Sequence, residues 1–247
     1  MSDTPFTPFT LPFDLMEAQK HLSACDEQLA ALIAELIPFE IDIAEAQTPY
    51  EALLESIAYQ SISGKAAATI FARVKALGTN HKAPTPEEML RIRKSTLRKA
   101  GLSGAKILAM KDLAQKTIRG VVPTLEQAQG MSDEELVERL ISVRGIGAWT
   151  VEMFLIFHLG RPDVLPIHDL GVKKGWSVAY GKKHMPRPAE LLTFGERWRP
   201  YRTVASWYMW RAFERAGYAA TNKIRPAKPK RRKTTSRASR KRSTPKK

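Results

Sequence analysis

Apolar residues recur at three- and four-residue spacing in one segment after another, and no stretch alternates apolar with polar residues between hairpin turns. That pattern predicts an all-α fold. Thr48-x-x-Glu51, Thr85-x-x-Glu88 and Ser132-x-x-Glu135 have the form of capping boxes, in which a hydroxyl accepts from a first-turn N–H and the carboxylate reaches back. Pro49 and Pro86 follow two of these caps at the first helical position, where a missing N–H costs little. Asp26 is placed to cap a helix whose apolar stripe is Leu29, Leu32, Ile33 and Leu36. Gly101, Gly120, Gly160, Gly181 and Gly217 fall where helices should stop. The expected helices cover roughly 14–22, 27–36, 50–62, 64–76, 86–92, 96–100, 104–119, 133–142, 148–159, 169–179 and 200–216. No fixed period links them, so a helical solenoid is not expected.

The chain has 247 residues, 43% of them hydrophobic, enough for one core or two small lobes sharing a cleft. No apolar run approaches the ~18–20 residues of a membrane span. The N-terminus lacks a basic segment followed by an apolar one, so no secretory leader is expected. Cys25 is the only cysteine, which rules out an intrachain disulfide and a multi-cysteine iron–sulfur site and suits a reducing, intracellular compartment. The net charge is +15, but Lys223–Lys247 holds 13 Lys and Arg and no acid, leaving +2 for everything before it. A Pro/Ser/Thr/Lys/Arg segment of this kind cannot bury enough apolar surface to order itself, so residues 223–247 are expected to be a disordered tail. It reads as a polyanion-binding arm, with a solubilising tail or a nuclear import signal as the other readings.

The segment with the most chemistry runs from Glu134 to Gly175. An amphipathic helix ends near Val143, Arg144-Gly145-Ile146-Gly147 follows, and a second helix starts at Ala148. Two glycines around one apolar residue allow a sharp turn, with Ile146 as a plug between the helices. The N–H groups of Gly147, Ala148 and Trp149 would then lie unpaired at a helix N-terminus, which is an anion site that a DNA phosphate fits, and Thr150 could add a hydroxyl. Gly160, Pro162 and Pro166 form a loop that leads to Asp169. On its own, Asp169 could equally be the cap of the next helix.

This segment resembles the helix–hairpin–helix, Gly/Pro-rich loop and aspartate of the base-excision DNA glycosylase superfamily, and within it the bacterial 3-methyladenine DNA glycosylase II branch. The resemblance extends to Tyr59-Gln60-Ser61-Ile62-Ser63, to Leu97–Ser103 and to Arg197-Trp198-Arg199-Pro200 through Trp210, covering roughly residues 48–217. It implies an all-α, two-lobed glycosylase. Residues 49–156 would form the inner lobe, 1–48 would pair with 157–222 in the other, and a cleft would lie between them. The branch's N-terminal β-rich domain has no room before Thr48.

The resemblance makes Asp169 the catalytic carboxylate, stabilising positive charge on the deoxyribose or orienting water. Trp149 stands where bifunctional relatives carry a Schiff-base lysine, which implies hydrolysis without strand cleavage. Trp149 and Trp210, with Met153 where the branch has an aromatic, would wall the pocket of a flipped base, and a π-rich wall suits a cationic alkylated purine. Core packing is the other reading of either tryptophan, and the assigned role of Trp198 and Trp207. Gln60, Ser61 and Ile62 are candidates for filling the gap left by the flipped base, or are ordinary helix surface. Gly145, Gly147, Ala148 and Thr150 are expected against the phosphate. His168 stands where an acid is common and is given no catalytic role. The backbone carbonyls of Ile141, Val143 and Ile146 would be positioned for a monovalent cation, as in relatives, and no catalytic cofactor is expected. The partner implied is double-stranded DNA containing alkylated bases, bound by a monomer with no membrane association. The competing class is a non-enzymatic helix–hairpin–helix protein that binds damaged or bent DNA. A third reading is an enzyme of this fold acting on oxidised or mismatched bases, which the absent lysine and cysteines disfavour.

Overall fold

The helix starts legible in the sequence are made by the bonds they promise. Thr48 Oγ1 accepts from the Glu51 amide while Glu51 Oε2 accepts from that of Thr48, and Thr85 and Glu88 do the same. Ser132 makes half a box: its hydroxyl accepts from Glu135 N at 3.1 Å, but the Glu135 carboxylate turns to Arg139 instead. A further box, Thr124 with Gln127, opens a helix that the apolar spacing does not reveal. All five glycines expected to stop helices have positive φ, where an L side chain is strained.

The computed structural model describes residues 11–36, 38–41, 43 and 48–221, so the basic segment 223–247 lies outside the described residues. Every regular element among them is helical. In order these are α1 (Leu15–Cys25), α2 (Glu27–Glu35), α3 (Pro49–Tyr59), α4 (Gly64–Lys75), α5 (Pro86–Arg91), α6 (Lys94–Lys99), α7 (Gly104–Ile118), α8 (Leu125–Gly130), α9 (Asp133–Leu140), α10 (Ala148–Phe157), α11 (Leu170–Ala179), α12 (Pro188–Gly195) and α13 (Arg202–Thr221), with 3-10 turns at Thr79–His81 and Glu196–Trp198. Several boundaries differ from expectation, among them α1, which runs to Cys25 rather than 22. α3 ends at Tyr59 rather than 62 because Ser61 takes a left-handed φ of 59°. Asp169 lies outside α11 as its cap rather than inside as its first residue. α13 runs past 216, but with a break at Gly217 (φ 72°). α8 and α12 were not expected.

Two apolar clusters organise the helices. The first is built on α7, whose Ile107, Met110, Leu113 and Ala114 are buried against α3 and α5, and it reaches through Leu136, Leu140, Ile146 and Phe154 to α9 and α10. Each large aliphatic side chain so buried contributes about 1.5–3 kcal/mol. The second joins Leu22 and Leu29 of α1 and α2 to Val172, Trp198, Ala205 and Tyr208. Asp26 ties that cluster together: Oδ1 caps α2 through the Leu29 amide, and Oδ2 accepts from Tyr180 Oη (2.6 Å) and Trp198 Nε1 (3.0 Å). Trp198 and Trp207 are buried, as packing residues should be. Trp210 touches both clusters.

α11 lies directly along α13. Gly171 and Gly175, one helical turn apart, allow this: a Cβ at Gly175 would sit 1.8 Å from the Met209 carbonyl oxygen, and one at Gly171 would sit 2.7 Å from Trp210 Cδ1. The pair of glycines therefore sets how far Trp210 reaches toward the start of α11.

Candidate active site

The hairpin between α9 and α10 is held from below by α7. Gly145 has φ 79°, and a Cβ there would come within 3.2 Å of Ala109 Cβ. Asp112 Oδ2 accepts from the Arg144 amide at 2.7 Å and pairs with Lys116 at 3.0 Å, while the Lys116 ammonium donates to the Ser142 carbonyl. Ile146 is buried as a plug between the helices. Gly147 caps α10 with no side-chain hydrogen bond, and a Cβ there would meet nothing within 4 Å. The leading amides of α10, at the exposed residues Ala148 and Trp149, thus face open space with no acceptor inside the helix. Thr150 differs from expectation. It is only 5% exposed because the helical period turns it inward, so its hydroxyl is not offered to a phosphate.

The loop from Gly160 to His168 is stitched through its first half, Arg161 to Val164, to the end of α8 and to the start of α13. Arg161 Nη2 donates to the carbonyls of Ala128, Gln129 and Met131 at the end of α8. Asp163 takes Arg202 at 2.7 Å and Arg199 at 2.5 Å, and Thr203 bonds the backbone on either side. This anchoring delivers Asp169 to the N-terminus of α11, where its Oδ1 accepts from the Val172 amide at 2.7 Å. Asp169 is therefore a helix cap, and it is more than that. Trp149 Nε1 donates to Oδ2 at 2.8 Å, and Trp210 Nε1 donates to Oδ1 at 2.8 Å. The three residues assigned to one site from sequence are in direct contact. His168 beside them is exposed.

A cavity of about 460 Å³ adjoins Trp149, lined by Ser56, Tyr59, Gln60, Ser61, Thr150 and Met153. It falls within the usual ligand-pocket range of ~300–1,000 Å³. Trp149 and Met153 are among its lining residues; Trp210 is not among them and stacks on Phe157 (5.7 Å, 24°). Gln60 Nε2 donates to the Gly145 carbonyl at 2.9 Å, bracing the turn after α3 against the hairpin, and Ile62 beyond it is 40% exposed. The carbonyls of Ile141, Val143 and Ile146 are neutral oxygen donors of the kind a hard cation takes. Val143 O already accepts the Ile146 amide at 3.0 Å and, as a carbonyl, has a second lone pair.

Sequence reasoning missed Glu152. Its Oε2 is buried without a hydrogen-bond partner, and burial first, then the charge of Asp169, pushes its carboxyl up to about 7. The signal was available, since Glu152 is the only charged residue in α10.

Known proteins share this sequence and fold. Residues 54–200 match the model of the family described as HhH-GPD superfamily base excision DNA repair protein. DNA-3-methyladenine glycosylase 1 of Schizosaccharomyces pombe is 39% identical over 215 residues, 87% of this chain and 93% of that protein. A solved 3-methyladenine DNA glycosylase of the same yeast, in complex with abasic DNA, superposes with a TM-score of 0.72 at 39% identity, covering 79% of this chain and 95% of that one. A DNA-3-methyladenine glycosidase from Bacillus halodurans superposes with a TM-score of 0.74 at 30% identity, over 87% and 97% of the two chains. The chain belongs to the HhH-GPD superfamily of base excision DNA repair proteins.

Proposed function

We propose that the protein is a monofunctional DNA glycosylase that hydrolyses the N-glycosidic bond of alkylated purines, of the 3-methyladenine type, in duplex DNA. The observation that carries this reading is the Asp169 carboxylate, held by two indoles, of which Trp149 both lines a cavity of about 460 Å³ and stands in the first turn of α10, whose N-terminus has no side-chain cap. A DNA phosphate docks on the amides of Gly147 and Ala148, where the helix dipole favours an anion. A monovalent cation on the hairpin carbonyls would add positive charge beside that phosphate. The turn Gln60–Ile62 enters the duplex, and the damaged base leaves the stack for the cavity lined by Trp149 and Met153. An alkylated base is electron-poor or cationic, and an aromatic face with a polarisable thioether suits it. As the bond to the sugar breaks, positive charge builds on the deoxyribose, which Asp169 stabilises. Water then takes the place of the base, giving free base and an abasic strand. An indole at position 149 forms no imine, so the strand stays intact. Such chemistry belongs in the compartment that holds the genome.

The test is base release from duplexes carrying different alkylated bases. Asp169→Asn should lower single-turnover release by on the order of 10²-fold or more while duplex binding is largely retained. Wild-type protein should leave an unbroken abasic strand and give no borohydride-trapped adduct. Near-normal turnover by the variant, or a trapped adduct, overturns the reading. A wild-type protein that binds damaged duplex but releases no base would instead be a non-enzymatic binder.

A further inference from the structure

An ionised carboxylate offers about four acceptor positions, two on each oxygen. In Asp169 three are filled. Oδ1 accepts from Trp210 Nε1 (2.8 Å) and from the Val172 amide (2.7 Å), and Oδ2 accepts from Trp149 Nε1 (2.8 Å). The donors come from three elements: α10 supplies Trp149, α11 the amide and α13 Trp210. Trp210 is fixed in turn by its stack on Phe157 and by Gly171, where any Cβ would press on its ring at 2.7 Å and on Asp169 Oδ1 at 3.1 Å. Trp149 lines the cavity, whereas Trp210 and Asp169 meet beyond its lining residues.

Resting on the glycosylase reading, we propose that Trp210 is a positioning residue for Asp169, acting through its ring N–H. The two indoles clamp the carboxylate so that the single free acceptor position of Oδ2 is the one presented to the sugar or to water. An indole N–H donates and cannot accept, so the two rings can only hold the carboxylate oxygens and fix the plane of the group. A carboxylate held in this way costs nothing to reorganise when positive charge develops beside it. Trp149 has two duties on this account, one through its edge and one through its face. Trp210 acts on Asp169 through its edge.

The experiment separates rate from affinity. Trp210→Phe keeps the ring and its stack on Phe157 but loses the donor. It should lower single-turnover base release at saturating enzyme by on the order of 10-fold or more, with affinity for lesion-bearing duplex unchanged. Trp210→His, which restores a ring N–H, should recover part of the rate. Trp149→Phe should lower both rate and lesion affinity. A Trp210→Phe protein that binds lesions more weakly yet turns over normally when saturated, or that matches wild type in both, overturns the proposal. Should the variant fail to fold, the wild-type indole N–H resonances provide the readout. Of five tryptophans, two, Trp149 and Trp210, should shift when Asp169→Asn is introduced. If neither moves, the clamp is absent. Normal base release by Asp169→Asn would overturn the glycosylase role of the aspartate while leaving the indole result to decide the clamp.

Discussion

Glu152 is a buried carboxyl close enough to Asp169 to feel its charge. Its Oε2 has no hydrogen-bond partner, and burial first, then the charge of Asp169, lets it keep its proton up to about 7. Arg161, Asp163 and Arg202 line the same recess as Glu152. Because its folded value lies above the ordinary ~4.3, the unfolded chain gives up this proton first as pH rises. Stability that is fully present below the ordinary value is therefore lost as pH climbs through about 7. Allowing for partial exposure, the loss is on the order of 1 kcal/mol. Glu152→Gln should remove this dependence: denaturant unfolding at pH 5 and pH 8 should show wild type losing ground to the variant at the higher pH. Parallel behaviour of the two proteins would mean that Glu152 is not a buried neutral acid.

At the scale of elements, the site depends on how closely α11 approaches α13. Gly175 has no space for a methyl group, since the Met209 carbonyl would be 1.8 Å away, and Gly175→Ala must force the helices apart. Overpacking of this kind costs about 1–3 kcal/mol or more. The expected outcome is a lowered melting temperature together with abolished base release, because Trp210 and Asp169 stand on the two separated helices. A Gly175→Ala protein with wild-type melting and activity would refute this account. The same elements show what is legible in a sequence. Caps such as Thr48 and Thr85 can be read because a hydroxyl and an acid at fixed spacing satisfy specific amides. α12 cannot, because Arg187 stands at its cap where no Ser, Thr, Asp or Asn gives the signal. The end of α3 falls earlier than its apolar spacing suggests because Ser61, unlike glycine or asparagine, gives no warning of a left-handed turn. The residues of the site follow from their order along the chain. Their arrangement does not, since the clamp on Asp169 depends on a tertiary hydrogen bond from α13, 41 residues away.

For the whole molecule, charge and connectivity matter most. The +15 is concentrated in Lys223–Lys247, and the remainder carries +2. Removing residues 223–247 should weaken binding to any duplex and reduce the log–log salt slope by about 0.9 for each phosphate that the segment would otherwise neutralise, with saturated single-turnover excision almost unchanged. Affinity measured against salt for full-length and truncated protein decides this, and equal slopes would rule out the segment as a DNA-binding arm. Connectivity has a different consequence. Asp26 meets Tyr180 and Trp198 across 154 and 172 residues, while the cluster around α7 uses a nearly continuous run of chain. During synthesis at ~5–20 residues per second, α1 and α2 leave the ribosome on the order of 10–30 s before the surface that covers Leu22 and Leu29 exists. The α7 cluster can condense in that interval, and the nascent N-terminal helices wait with apolar faces bare, as natural clients for a chaperone. The Asp169 centre closes only when α13 has arrived, so a chain cut short anywhere before Trp210 is born without its clamp.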